Sequence, residues 1–247
     1  MLDKIIDLGI SRVEAEELIN INENIEKDYK KLKKGYPIQY LIGYVNFYGY
    51  KIKINKNVLI PRPETEFLVE KVIKLIKNNN LENIKLLDLC TGSGCIAITL
   101  SKELKINVTA SDISKKALDV AKENITLNEA KVKLIKSNLF KNIKGKYNII
   151  ITNPPYVSKS EKLSKIVKSE PKKALYSADN GTKIIKKIID SSVNYLEDKS
   201  ILAIEIGETQ GKTLKKYAEE IHKNSKIKLE KDLTGRDRYL IILKNIE

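Results

Sequence analysis

The sequence predicts an α/β fold: a seven-stranded, mostly parallel sheet with an antiparallel last strand, preceded by a small helical domain and a β-hairpin. Three observations carry this. From residue 84 onward, apolar runs of strand length alternate with amphipathic helical stretches, the pattern of a sheet covered on both faces. The last two apolar runs lie too close together for a crossover helix, so they pair antiparallel. The first 35 residues instead carry helix signals alone.

Taken in order, Ser11-Arg12-Val13-Glu14 reads as a capping box, the Ser hydroxyl and the Glu carboxylate satisfying free backbone N–H groups. A second helix is predicted from about Asn24 to Lys34, stopped by Gly35 with Pro37 beyond. Residues 44–54 alternate as a hairpin does. Two prolines in Leu59-Ile60-Pro61-Arg62-Pro63-Glu64-Thr65-Glu66 force an extended entry into a helix whose apolar face is Leu68, Val72, Leu75 and Ile76. Strands follow at 84–89, 106–111, 131–136, 147–152, 201–206, 226–231 and 238–243, with helices at 94–104, 114–126, 183–195 and 209–222. The expected division is a helical domain over 1–36, a linker with the hairpin over 37–63, and a catalytic domain over 64–247.

Composition narrows the function classes. The chain has 247 residues, 42% of them hydrophobic and 32% charged. Two Cys and one His leave no basis for a disulfide framework or a metal site, so none is expected. The first apolar run, Ile5-Ile6, is cut by Asp7, and no stretch approaches 18 apolar residues; a soluble, cytoplasmic protein with no membrane partner is expected. The net charge of +14 admits a nucleic-acid partner, but Lys, Ile and Asn are abundant throughout, as a biased genome would produce. Residues 1–55 hold nine basic and eight acidic side chains, so the excess lies in 56–247 and forms no dense tract.

Two motifs carry chemistry. The strand at 84–89 runs into Cys90-Thr91-Gly92-Ser93-Gly94-Cys95 at a helix start, where glycines let backbone approach a ligand. Ala97 occupies the third glycine position of a dinucleotide fingerprint, and no P-loop Lys follows. Asp112 ends the next strand, about 20 residues on, where an acid accepts ribose hydroxyls. Such a loop can be only a tight turn; the placed acid argues for a nucleoside. Cys90 and Cys95 read as small buried fillers, and His222 as a partner of a helix C-terminal dipole. The second motif is Asn153-Pro154-Pro155-Tyr156 at the end of a buried strand: the prolines fix carbonyl direction, Asn153 adds an acceptor and Tyr156 a flat face, which suits a planar –NH2 group. Residues 157–182, rich in Lys and Ser, suit a mobile loop over a substrate.

Asp88 to Gly94, Asp112 and Asn153 to Tyr156 resemble the motifs of class I S-adenosylmethionine-dependent methyltransferases acting on amino or amide nitrogen. With Pro37-Ile38-Gln39-Tyr40-Leu41-Ile42-Gly43, Phe47-Tyr48-Gly49, Ile60 to Glu66, Glu170-Pro171, Ala174-Leu175 and Gly235-Arg236-Asp237-Arg238, the chain is similar to the HemK/PrmC family of release factor glutamine methyltransferases. The resemblance implies a Rossmann-like catalytic domain and the cofactor S-adenosyl-L-methionine. It implies methyl transfer to the side-chain amide nitrogen (N5) of the Gly-Gly-Gln glutamine in class I peptide-chain release factors, hence a role in translation termination. It further implies no obligate nucleic acid, and a monomer with the short 1–36 head docking the substrate. Cys90, Thr91, Gly92, Ser93, Gly94, Asp112, Asn138, Leu139 and Asn153 would form the cofactor pocket. Asn153, Pro154, Pro155 and Tyr156 would bind the glutamine, with Asn153, Pro154 and Tyr156 catalytic. Cys90 stands where Gly is common, which requires a negative φ. Asn138 stands where relatives often have Asp, and Leu139 where some have an aromatic. The alternatives are a ribosomal-protein glutamine methyltransferase, a DNA adenine-N6 methyltransferase, and a non-catalytic nucleoside-binding protein.

Overall fold

The computed structural model describes residues 1–246. Helices α1 (Leu2–Ile6), α2 (Arg12–Ile21) and α3 (Ile25–Lys33) enclose a small core of Ile5, Ala15, Leu18 and Leu32, closed by Ile38 and Ile42 of α4 (Ile38–Ile42). The capping box differs from the expected one. The Glu14 N–H donates to Ser11 Oγ at 3.3 Å, but the Glu14 carboxylate takes the Ser11 hydroxyl (2.7 Å) and the Gln39 amide (2.7 Å). A charged acceptor draws the stronger side-chain donors, and α2 is thereby tied to α4.

Strands β1 (Tyr44–Phe47) and β2 (Tyr50–Lys53) form the predicted hairpin. Phe47 and Ile52 enter the apolar core of the larger unit, and polar bonds add to this dock. Asn124 accepts from the Lys53 N–H (2.7 Å) and donates to the Lys53 and Ser93 carbonyls (2.9 Å each); Asn128 donates to the Lys51 carbonyl. Arg62 is extended, as a residue before proline must be, and Pro63 opens α5 (Pro63–Asn78).

The larger unit runs β3 (Leu86–Leu89), α6 (Cys95–Leu104), β4 (Val108–Asp112), α7 (Lys115–Leu127), β5 (Val132–Lys136), β6 (Tyr147–Thr152), α8 (Lys165–Lys168), α9 (Lys172–Leu175), α10 (Lys183–Ser192), β7 (Leu196–Glu205), α11 (Gly211–Ile221), β8 (Ser225–Lys231) and β9 (Asp237–Lys244). The seven strands lie in the order β5-β4-β3-β6-β7-β9-β8, and only β9 runs against the rest. Side chains alternate between two cores with the strand period of two. Leu86, Ile149, Ile151, Ile201, Ala203, Ile241 and Leu243 face α5, α6 and α7; Leu87, Leu89, Ile150, Leu202, Ile204, Leu240 and Ile242 face α10 and α11. Connections leave β3 and β6 in opposite directions, so a crevice opens at their carboxyl ends.

Two expectations change. The 157–182 segment, expected as a mobile loop, carries α8 and α9 and a Val157–Tyr176 bridge, and buries Glu170. Its lysines point outward, while the Glu170 carboxylate accepts from the Ile60 N–H (3.0 Å) and pairs with Arg62. His222 caps the end of α11, but burial lowers its pKa, and Nε2 lies 3.1 Å from the Ile189 carbonyl and 3.2 Å from Ser192 Oγ. It sits at the end of α11 as a buried hydrogen-bonding group, and burial works against the cation that a helix-dipole partner would be. No helix among the described residues is long and apolar enough to cross a membrane.

Replacing Asn124 leaves the Lys53 and Ser93 backbone groups short of partners. Asn124→Ala should lower unfolding free energy by about 2 kcal/mol, the cost of orphaning half-buried polar groups. Urea denaturation checks this; a change under about 0.5 kcal/mol would show that water replaces the amide without loss.

Candidate active site

The site is assembled by register. Leu89 at the end of β3 pairs with Thr152 at the end of β6, and Thr152 Oγ1 donates to the Leu89 carbonyl at 2.7 Å. The loop 90–94 and the tetrad 153–156 therefore leave the sheet side by side. Loop 90–94 is held by its own backbone: the Thr91 N–H donates to the Ser111 carbonyl (3.0 Å) and the Gly94 N–H to the Thr91 carbonyl (2.8 Å). Gly94 adopts φ +85°, and a Cβ there would stand 3.2 Å from Ala121 Cβ, so α6 approaches α7 closely only with glycine at this position. Cys90 corrects an expectation. Its φ is +60°, the left-handed region, where a side chain costs about 1 kcal/mol, which explains the preference for Gly there.

Asp112 ends β4 beside this loop. Its Oδ2 accepts from the Gly92 N–H (3.0 Å) and its Oδ1 from the Ser114 N–H (2.8 Å), while Ser114 itself caps α7. Burial pushes Asp112 up, and these N–H groups pull it back. Beneath the loop, Asp88 is wholly buried. Thr91 Oγ1 donates to its Oδ2 at 2.5 Å, but Oδ1 lacks a hydrogen bond of ordinary geometry, with only the Ala97 N–H nearby. Burial raises its pKa from the usual 3.8 to about 7. Burial likewise pushes the Cys90 and Cys95 thiols up to about 12, so neither is a thiolate. Cys95 is the expected buried filler, whereas Cys90 is half-buried.

A cavity of about 570 Å³ opens over these groups. Cys90, Thr91, Gly92, Ser93, Asp112, Asn138, Leu139, Asn153 and Pro155 line it, together with residues 56–59, Thr65 and α9 residues. Gly94, Pro154 and Tyr156 are not in its wall. Gly94 lies behind it as the N-cap of α6, Pro154 is buried, and Tyr156 packs against the α10–α11 core.

At the tetrad, Asn153 Nδ2 donates to Thr65 Oγ1 (3.0 Å), and Thr65 Oγ1 donates to Glu205 Oε2 (2.7 Å). The Tyr156 hydroxyl donates to Glu205 Oε1 (3.2 Å). Among the described residues nothing donates to Asn153 Oδ1 or to the Pro154 carbonyl; Asn153 stands in the cavity wall, and Pro154 lies buried next to it. Gln210 Nε2 fixes the tetrad from behind by donating to the Tyr156 carbonyl (2.8 Å). Gly181 lets that strand of backbone pass, since a Cβ there would fall 2.0 Å from the same oxygen.

Sequence reading did not single out Glu205, Thr65, Glu170 or Gln210 as site residues. A lone acid closing the apolar run Ile201-Leu202-Ala203-Ile204-Glu205 was the available signal, because an unpaired carboxylate is rarely buried.

Because Asp88 keeps its proton to higher pH when folded, the native state binds more protons than the unfolded chain between pH about 4 and about 7, and stability falls with rising pH across that window. Asp88→Asn removes this dependence. Its melting temperature relative to the wild type should rise from pH 4.5 to pH 8; an offset independent of pH would show that Asp88 ionises at its ordinary value.

A profile of the methyltransferase small domain matches residues 63–178. A release factor glutamine methyltransferase from Lactococcus lactis is 37% identical over 86% of this chain and 79% of its own length. Another from Streptococcus pneumoniae is 39% identical over 88% of this chain and 78% of its own. Among solved structures, a methyltransferase from Pyrococcus furiosus aligns with a TM-score of 0.60 over 81% of this chain and 91% of its own, at 21% identity, a likeness of fold.

Proposed function

The chain belongs to the release factor glutamine methyltransferase family, and from that premise we propose that it transfers a methyl group from S-adenosyl-L-methionine to the side-chain amide nitrogen of the Gly-Gly-Gln glutamine in class I peptide-chain release factors. The observation that carries this reading is Asn153 in the wall of a nucleoside-sized cavity, its Oδ1 without a donor and followed in the chain by a Pro154 carbonyl that also has none.

The residues present fit the cofactor. Asp112 lies in the cavity wall with its carboxylate held by backbone N–H groups, and a carboxylate there would accept ribose hydroxyls. Leu139 and Ile113 offer apolar wall for an adenine ring, and Asn138 at the rim offers an amide. The volume lies in the usual range for such ligands, about 300–1,000 Å³. When bound, S-adenosylmethionine supplies an electrophilic methyl on a sulfonium.

An amide nitrogen is a weak nucleophile because its lone pair is delocalised, so placement is the enzyme's main lever. Asn153 Oδ1 and the Pro154 carbonyl accept the two N–H bonds of the glutamine amide. They orient its nitrogen toward the methyl donor and stabilise the positive charge that develops there. Pro154 and Pro155 hold the backbone so that this carbonyl needs no rearrangement. The Tyr156 hydroxyl is held by Glu205 and its ring packs on the α10–α11 core, so stacking on the amide would need the substrate to reach past the cavity wall. No side chain is assigned as base, and the methylated amide returns its extra proton to water. The 1–36 helices are the proposed substrate dock, and a cytoplasmic, monomeric enzyme is the proposed form.

Asn153→Ala should lower kcat by about 100-fold or more, the scale of losing one preorganised polar partner. Labelled S-adenosylmethionine with a purified release factor, a ribosomal protein or duplex DNA as acceptor gives the readout. Label on DNA or ribosomal protein alone, or unimpaired labelling by the variant, would refute the assignment. Asp112→Ala should weaken cofactor binding about 10- to 100-fold by calorimetry, since it removes charged acceptors. An unchanged affinity would take the ribose contact away from Asp112.

A further inference from the structure

We infer that Thr65 and Glu205 form a positioning pair that decides which end of the Asn153 amide meets the substrate, an inference that rests on the function proposed above. A threonine hydroxyl has one proton, and Thr65 gives it to Glu205 Oε2 at 2.7 Å. Its oxygen can then only accept, so the Asn153 group facing it at 3.0 Å must be the –NH2. Asn153 Oδ1 is left pointing away from Thr65 as an open acceptor at the cavity wall. The reversed amide would set Oδ1 against a lone pair of Thr65, or draw the Thr65 proton off a buried carboxylate. With Glu205 ionised, both arrangements leave a buried polar group without a partner; a protonated Glu205 would instead donate to Thr65 and free the Thr65 proton for Asn153 Oδ1, so the orientation belongs to the ionised pair.

Glu205 supports this from a wholly buried position at the end of β7. Burial pushes its pKa up, while the Thr65 hydroxyl, the Arg238 charge and the Tyr156 hydroxyl pull it down, with Glu64 adding a small upward push. The same carboxylate receives the Tyr156 hydroxyl, so one group holds both the acceptor and the ring beside it. Thr65 reaches Asn153 because the Pro-Arg-Pro entry into α5 is clamped by Glu170 through the Ile60 N–H and Arg62. Thr65 and Glu205 touch no reacting atom in this scheme and act through Asn153.

The test measures kcat, cofactor affinity and thermal unfolding for Thr65→Val, Thr65→Ser, Glu205→Leu, the Thr65→Val/Glu205→Leu double variant and Asn153→Ala, with a purified release factor as substrate. Thr65→Val keeps the shape and removes the hydroxyl; kcat should fall about 10- to 100-fold, with cofactor affinity within about threefold. Thr65→Ser restores the hydroxyl and should recover most of the rate. The double variant should be no slower than its slower parent, because the two residues act as one unit. If Asn153→Ala is impaired but Thr65→Val is as fast as the wild type, or Thr65→Ser is as slow as Thr65→Val, the pair does not orient the amide and the inference falls while the function stands. If Asn153→Ala and Thr65→Val both work normally, the proposed function falls with it. Should Glu205→Leu fail to fold, the two Thr65 variants decide alone.

Discussion

The parallel pairing of β3 with β6 is the constraint on which the site depends. Leu89 lies opposite Thr152, and each strand ends there, so the glycine loop and the Asn-Pro-Pro-Tyr tetrad leave the sheet at one level. A slip of one residue would turn every side chain of β6 to the opposite face, placing Ile150 in the core that Ile149 and Ile151 now occupy. Three isoleucines in a row cannot tell the two faces apart, so the polar ends of β6 fix the register: Asn148 Oδ1 accepts from the Lys85 N–H, and Thr152 Oγ1 donates to the Leu89 carbonyl. The candidate site thus inherits its geometry from strand-end hydrogen bonds set on a core that is apolar on both faces.

Around that frame, buried polar groups do the fine positioning. Glu170 holds the entry to α5, Glu205 holds Thr65 and Tyr156, and Asn124 holds the hairpin to α7. Each is enclosed, and each has partners from segments distant in the chain: Glu170 to Ile60, Thr65 to Glu205, Lys53 to Asn124. In a low-dielectric setting a hydrogen bond to such a group is hard to exchange for another, so these contacts select one arrangement among the many that packing alone would allow. Asp88 is the counterexample, a carboxyl with a single strong partner, raised toward neutrality beneath the loop it supports.

The net charge of +14 reads differently with the site in view. The cavity is bordered by Lys56, Lys116, Lys172, Lys173 and Lys187, while the groups that would contact ligand inside it are an acid, amides, hydroxyls and apolar side chains. Positive charge on the rim sets the field through which any macromolecular substrate approaches; it does not choose the reaction. In the proposed function that choice falls to the acceptors at the end of β6.

Much was legible from the chain alone. Strand and helix alternation, the antiparallel end, the hairpin and the helix after Pro63 depend on local periodicity and on proline, which act within a few residues. The loop at 90–94, Asp112 and the tetrad were legible too, because glycine, a strand-end acid and paired prolines signal backbone requirements without reference to the rest of the chain. Cys90 shows the limit: its sign of φ depends on the path between β3 and α6, which its own sequence neighbourhood does not state. The order of 157–182 was likewise hidden, since its exposed lysines dominate the composition while one buried Glu170 anchors it. Glu205, 140 residues from Thr65 in sequence, could be recognised as a partner only once the sheet had brought β7 beside β6. The amino-acid sequence by itself determined the fold class and marked the glycine loop and the tetrad as the strand ends to examine; the tertiary structure decided that they lie side by side and which way their side chains point, because orientation is set by hydrogen bonds between segments that only folding brings together.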